Sequence, residues 1–205
     1  MLVGIHVRVA KTAHTARPWR IHEFTRDFEL EDVWALPTPG GEDDFPQLVE
    51  LLAAFDPSQV SSFAVRMLAA IRLRIGDLIG LDAPETGLGS RVGSLRDRIP
   101  VDLRDGPSGR DFDELLFSPL YLLHDEWAGE IANRTVHAVI HLGWVPDETT
   151  GYRGQMAILV KPNGLLGNAY MEFIKPFRHW IVYPQLMREI QRAWDARSRL
   201  PYVPS

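Results

Sequence analysis

The 205-residue chain is 45% hydrophobic and 24% charged with a net charge of −5, the balance of one soluble globular domain large enough to bury a core. It contains no cysteine, which excludes disulfides, thiolate metal sites and cysteine nucleophiles. No apolar run reaches the ~18 residues of a membrane span, and the opening MLVGIHVRVAKTAHTARPW lacks the apolar core of a signal peptide, so a cytoplasmic protein is expected.

Residues 1–18 read as an N-terminal extension. Trp19 to Leu30 reads as a strand with Ile21, Phe24 and Phe28 as its apolar points. Pro37-Thr38-Pro39-Gly40-Gly41 is a turn, and Glu42 to Phe55 follows as a short helix with acids in its first turn, where the helix dipole favours them. Ser61 to Leu81 is predicted as a second helix with the stripe Val65, Leu68, Ile71, Ile75 and Leu78. Residues 82–113, rich in Gly, Pro, Arg and Asp, read as a long loop or lid with one strand near Leu95 to Leu103. Three strand-like stretches come next: Leu115 to Ile131, Arg134 to Val145 and Gly154 to Lys161. Pro162-Asn163-Gly164 turns the chain into a long helix capped by Asn168, whose Tyr170, Phe173, Ile174, Phe177, Trp180, Met187, Ile190 and Trp194 recur at steps of three and four. Pro176 and Pro184 are expected to bend it. Residues 201–205 form a tail, and with no repeat or linker, 19–200 is expected to be a single domain.

A strand, two helices, several antiparallel strands and a long C-terminal helix is the element order of an α+β helix-grip domain. The segment GLLGNAYMEFIKPFRHWIVYPQLMREI, together with Glu130 to His137 and His141-Leu142-Gly143, resembles the bacterial domain-of-unknown-function family 2867. The likeness runs over roughly Leu115 to Arg192 and, in outline, over Trp19 to Asp82. It implies the START-like (SRPBCC) fold, a curved antiparallel sheet wrapped around the C-terminal helix, with a ligand cavity between them. It implies no particular reaction.

The expected cavity lining is Tyr121, Trp127, Ile140, Met156, Tyr170, Phe173 and Phe177, and the expected partner is a small apolar or amphipathic molecule. The same residues also read as plain core. A hairpin turning at Ala132-Asn133 sets His124 opposite His141, Ala128 opposite His137 and Glu130 opposite Thr135. His124, Glu126, Glu130, Thr135, His137 and His141 then share one face. Of these, His124, Glu126, His137 and His141 are the candidates for acid/base chemistry of a cyclase or dehydratase kind. The opposite face is far more apolar and is expected to point inward, leaving the His/Glu face to solvent or to a homodimer contact. A one-residue change in the hairpin loop would dissolve the cluster.

Gly87 to Gly93 has neither the spacing nor the preceding strand of a dinucleotide loop. No Gly-x-Ser-x-Gly or His-Glu-x-x-His occurs. No cofactor and no metal site are expected. From Lys161 onward the chain holds 7 basic and 3 acidic residues, but they are interspersed, so nucleic acid is not an expected partner. Three readings stand side by side: a small-molecule binder, an acid/base enzyme, and a non-catalytic module that dimerises through its sheet.

Overall fold

Alternation of side chains along four consecutive strands builds one antiparallel sheet, and both of its faces are covered. The computed structural model describes residues 7–54, 93–110, 117–132, 136–162 and 183–197. The strands are β1 (Val7–Arg8), β2 (Glu29–Ala35), β3 (Ser118–Leu122), β4 (Glu126–Ala132), β5 (Val136–Asp147) and β6 (Gly151–Pro162), in the spatial order β1-β2-β6-β5-β4-β3. Helices α1 (Thr12–Thr15), α2 (Phe45–Ala53), α3 (Val101–Arg104) and α4 (Tyr183–Arg197) lie outside it. The β5–β6 turn is made by Asp147, whose Oδ1 accepts the Thr149 and Thr150 backbone N–H groups at 3.1 Å, and by Gly151 at φ 84°, a conformation that favours glycine. Among the described residues no helix is long and apolar enough to cross a membrane.

One sheet face follows the sequence pattern. Trp34, Trp127, Ile140, Leu142, Trp144 and Met156 meet Phe45, Leu48, Val49 and Leu52 of α2 and Met187, Ile190 and Trp194 of α4. The spacing of those last three residues places them on one side of α4, and the first two have no exposed surface. The predicted helix over Glu42 to Phe55 is present as a 3-10 turn, Glu42–Asp44, running into α2. The predicted helix over 61–81 and the span 163–182, with Asn168, Tyr170, Phe173, Phe177 and Pro176, lie outside the described residues.

The other face departs from expectation. It is a second apolar core rather than a wet surface: Tyr121, Ala128, Val139, Val145, Ala157 and Leu159 are covered by Trp19, Ile21, Phe24 and Phe28 and by Leu95, Ile99 and Leu103. Trp19 to Leu30 is not one strand. Arg20–Glu23 is a 3-10 turn, with the Thr25 hydroxyl donating to the Ile21 carbonyl at 2.7 Å, and the strand starts at Glu29. The steps of three and four between Ile21, Phe24 and Phe28 are a helical stripe that covers a sheet from above.

Leu95 to Leu103 likewise forms a 3-10 turn, Leu95–Asp97, followed by α3. Ser94 opens that turn as its cap, its Oγ accepting from the Arg96 N–H at 3.0 Å. The described part of the expected lid, residues 93–110, is therefore seated on the sheet. Residues 7–18, expected as an extension, supply edge strand β1 and the fully buried His14.

Trp19 packs so closely over the sheet that a Cβ at Gly143 would stand 2.7 and 2.8 Å from its six-membered ring. The ring is buried and cannot swing into solvent. Gly143→Ala is therefore expected to destabilise by about 1–3 kcal/mol, measured by urea unfolding, because overpacking forces a rigid neighbour to shift. An unchanged midpoint would mean that the Trp19 cover is loosely seated.

Candidate functional site

Of the four acid/base candidates, Glu126 and His141 meet, His137 pairs instead with Glu130, and His124 stands apart. The stretch Leu115 to Ile131 is two strands, not one, and reverses between Leu122 and Glu126, closed by the Leu123 N–H donating to the Glu126 carbonyl at 2.8 Å. His124 sits at that reversal with its side chain 89% exposed, beside Asp125, and takes no part in the cluster.

Observed pairing sets Ala128 opposite His141, Glu130 opposite Val139 and Ala132 opposite His137. The partner of Ala128 is thus four residues further along β5 than the expected His137. Because four is even, every side chain keeps its face, and Glu126, Glu130, His137 and His141 do share one. A β-bulge between Pro119 and Tyr121 moves Tyr121 onto this face as well, away from Trp127, Ile140 and Met156. Thr135 lies outside the described residues.

Each carboxylate fastens a covering segment to the sheet. Glu126 Oε1 accepts from the Arg20 backbone N–H at 3.0 Å, while its Oε2 accepts from the Tyr121 hydroxyl at 3.1 Å and pairs with His141 Nε2 at 2.9 Å. Glu130 accepts from the Ser94 hydroxyl and from the Leu95 N–H at 3.0 Å, and pairs with His137 Nε2 at 2.7 Å. The His137 ring also meets Phe28 edge-on at 5.0 Å. His14, from α1, reaches the first of these groups with Nε2 at 3.0 Å from His141 Nδ1. The result is a buried row, His14–His141–Glu126–Tyr121, in which neighbouring polar groups are bonded to one another away from water, only His14 Nδ1 being left over.

Burial sets the charge of this row. It lowers His14 from 6.5 to about 2, helped by the neighbouring His141 and His22. Burial also lowers His141, against the opposing pull of its bond to Glu126. Burial raises Glu126 and Glu130, but each ends below its ordinary value because hydrogen bonds outweigh it, the largest from His141 and His137 respectively. Tyr121 is pushed well above 10 by burial and by the Glu126 charge, so it stays a donor. Two neutral imidazoles and an ionised carboxylate are the ground state.

A cleft of about 320 Å³ opens beside the row. Its lining combines the apolar Phe28, Leu30 and Leu159 with the polar His14, Thr15, His22, Thr25 and Arg26. His22 stands edge-on to His14, ring centres 4.9 Å apart, and among the described residues His14 Nδ1 and His22 Nε2 have no hydrogen-bond partner. No group of three or more His, Asp or Glu among the described residues is placed to hold a metal ion. Sequence reasoning missed His14, His22 and the cleft. The only signal was the pair of histidines bracketing Trp19, in a stretch that carries no strand or helix periodicity long enough to place it.

A family model described as a protein of unknown function (DUF2867) matches residues 24–185. No curated protein and no solved structure matches the chain.

Proposed function

We propose, since the chain belongs to the DUF2867 family and pairs an antiparallel sheet with a C-terminal helix, that it binds a small amphipathic molecule without transforming it. The observation that carries this reading is the cleft of about 320 Å³, whose lining combines apolar and polar side chains. Small-molecule sites run from ~300 to ~1,000 Å³ and combine such side chains. Along α4 the sheet is met by Met187 and Ile190, both fully buried, while Tyr170, Phe173 and Phe177, expected to line a cavity, lie outside the described residues. The finer assignment to a START-like helix-grip domain draws support from the sequence order β2, α2, β3 to β6, α4, with β2 seated beside the last strand.

Acid/base chemistry has less support. A general base works best with a pKa near the working pH, and His14 is lowered to about 2. Glu126 already accepts three hydrogen bonds. The dimerising reading needs a bare sheet face, and both faces of the described sheet are covered.

Native mass spectrometry of protein purified without added ligand, followed by denaturing extraction, is expected to release a bound small molecule. In a parallel titration the amphipathic dye ANS should brighten with wild-type protein and not with Leu30→Trp, which fills the cleft from its half-buried rim. A bare native mass together with dye binding indifferent to Leu30→Trp would sink this reading.

A further inference from the structure

We infer that the occupant of the cleft is an amphipathic anion, a carboxylate on an apolar body, whose head group is received by Arg26. This rests on the binding function proposed above and adds the charge class of the ligand. Charge is lopsided around the opening. Arg26 carries the one permanent charge among the described residues of the lining, and no Asp or Glu stands with it.

Arg26 is also the unmatched arginine of this face. The two segments that cover the sheet here, residues 19–28 and 94–104, hold Arg20, Arg26, Arg96, Arg98 and Arg104. Arg20 is tied to Glu23 and to Asp102 at 2.9 Å, and Arg98 to Asp27 at 2.7 Å. Arg96 donates to the Pro119 carbonyl at 3.2 Å and Arg104 to the Ile99 carbonyl at 3.0 Å. Arg26 stands exposed, with no hydrogen bond or ion pair among the described residues. The acid next to it in sequence is already taken. Asp27 is shared by Arg98 and by Lys161 at 2.8 Å, two cations on one carboxylate, which leaves a second positive excess beside Phe28. The buried carboxylates stand further back. Glu126 is separated from the cleft by the His14 and His141 rings, and Glu130 is paired with His137, whose ring Phe28 meets edge-on.

A guanidinium is a planar fork of donors with no acceptor, and it matches two carboxylate oxygens side by side. Thr15, exposed on the same lining, has a hydroxyl with no hydrogen bond among the described residues and offers a further donor. An ammonium head would meet like charge with no acid in the lining to receive it. The apolar body of the ligand lies against Phe28, Leu30 and Leu159. Because Arg26 is exposed and screened by water, it selects among ligands, while the apolar contacts supply the bulk of the affinity.

Three matched probes separate this inference from the reading beneath it: 2-naphthoate, its neutral isostere 2-naphthamide, and the cation 2-naphthylmethylammonium, each titrated by ligand-observed NMR. At low salt naphthoate is expected to bind about fivefold more tightly than naphthamide, the size of one exposed ion pair, with the ammonium weakest. That gap should close as salt is raised. Arg26→Gln should bring naphthoate down to the affinity of naphthamide, and Arg26→Lys should keep part of the gap. Leu30→Trp, which fills the cleft, should weaken all three. Equal affinity of naphthoate and naphthamide for wild type, a gap that survives in Arg26→Gln, or tightest binding of the ammonium overturns the anion assignment and leaves the binding function standing. Binding of none of the three, or binding that Leu30→Trp leaves untouched, overturns both.

Discussion

Glu126→Ala is expected to lower the stability of the domain by about 3–5 kcal/mol, the cost of leaving several buried donors unsatisfied at roughly 1–3 kcal/mol each. The change strips the acceptor from three donors at once: the His141 ring, the Tyr121 hydroxyl and the Arg20 backbone N–H. Tyr121 and His141 have no exposed surface, so water cannot replace the carboxylate unless the segment over them lifts. The loss then spreads to His14, whose only side-chain hydrogen bond among the described residues is to His141. Equilibrium urea unfolding reads the effect. Glu189→Ala, which breaks only the surface pair with Arg192 on α4, is the control and should cost no more than about 0.5 kcal/mol. If the two variants lost the same small amount, Glu126 would not be a fastening at all.

Acid should loosen the same face. An unfolded chain protonates its histidines below about 6.5, whereas folded His14 resists until about 2 and His141 is lowered in the same direction. Between those values the unfolded state binds more protons, so stability is full above the ordinary imidazole range and falls as pH falls. Two pH units below 6.5, His14 alone should have cost roughly 3 kcal/mol. Glu126 and Glu130 act with the same sign further down. Their folded values lie below 4.5, so the unfolded state takes up their protons first and further stability is lost on acidification through that range. Urea midpoints measured from neutral to mildly acid pH should fall steadily, with His14→Phe flattening the slope by about one proton. Hydrogen exchange should show amides of the Thr12 to Phe28 cover opening first. A midpoint that does not move with pH would contradict the burial of neutral His14.

Much of the frame is legible in the residues, and the misreadings share a cause. Trp127, Ile140, Leu142 and Met156 alternate with polar neighbours and do form the face beneath α2 and α4. The pairing of β4 with β5 was expected four residues out of place, yet the even offset kept Glu126, His137 and His141 on one face. What alternation cannot show is whether a polar face meets water or another segment. Glu126 and Glu130 look solvated because the groups that satisfy them, Arg20 and Ser94 to Leu95, come from distant irregular stretches with no period of their own. Tyr121 changed faces because one extra residue bulges after Pro119. A proline inside a strand is the single local hint of that break.

The seating of β2 beside β6 also sets a timetable for the nascent chain. The strands β3 to β6 meet neighbours that follow directly in sequence, so they can zip together as they emerge. Nothing comparable is open to the N-terminal elements. Glu29 must find Val160, and His14 its partner 127 residues later, which at ordinary synthesis speeds is a wait on the order of ten seconds. Through that interval Trp19, Phe24 and Phe28 have no sheet to lie on. A newly made molecule therefore passes through a stage in which the apolar side chains between Trp19 and Phe28 stay uncovered beside an unfinished sheet, open to non-native contacts.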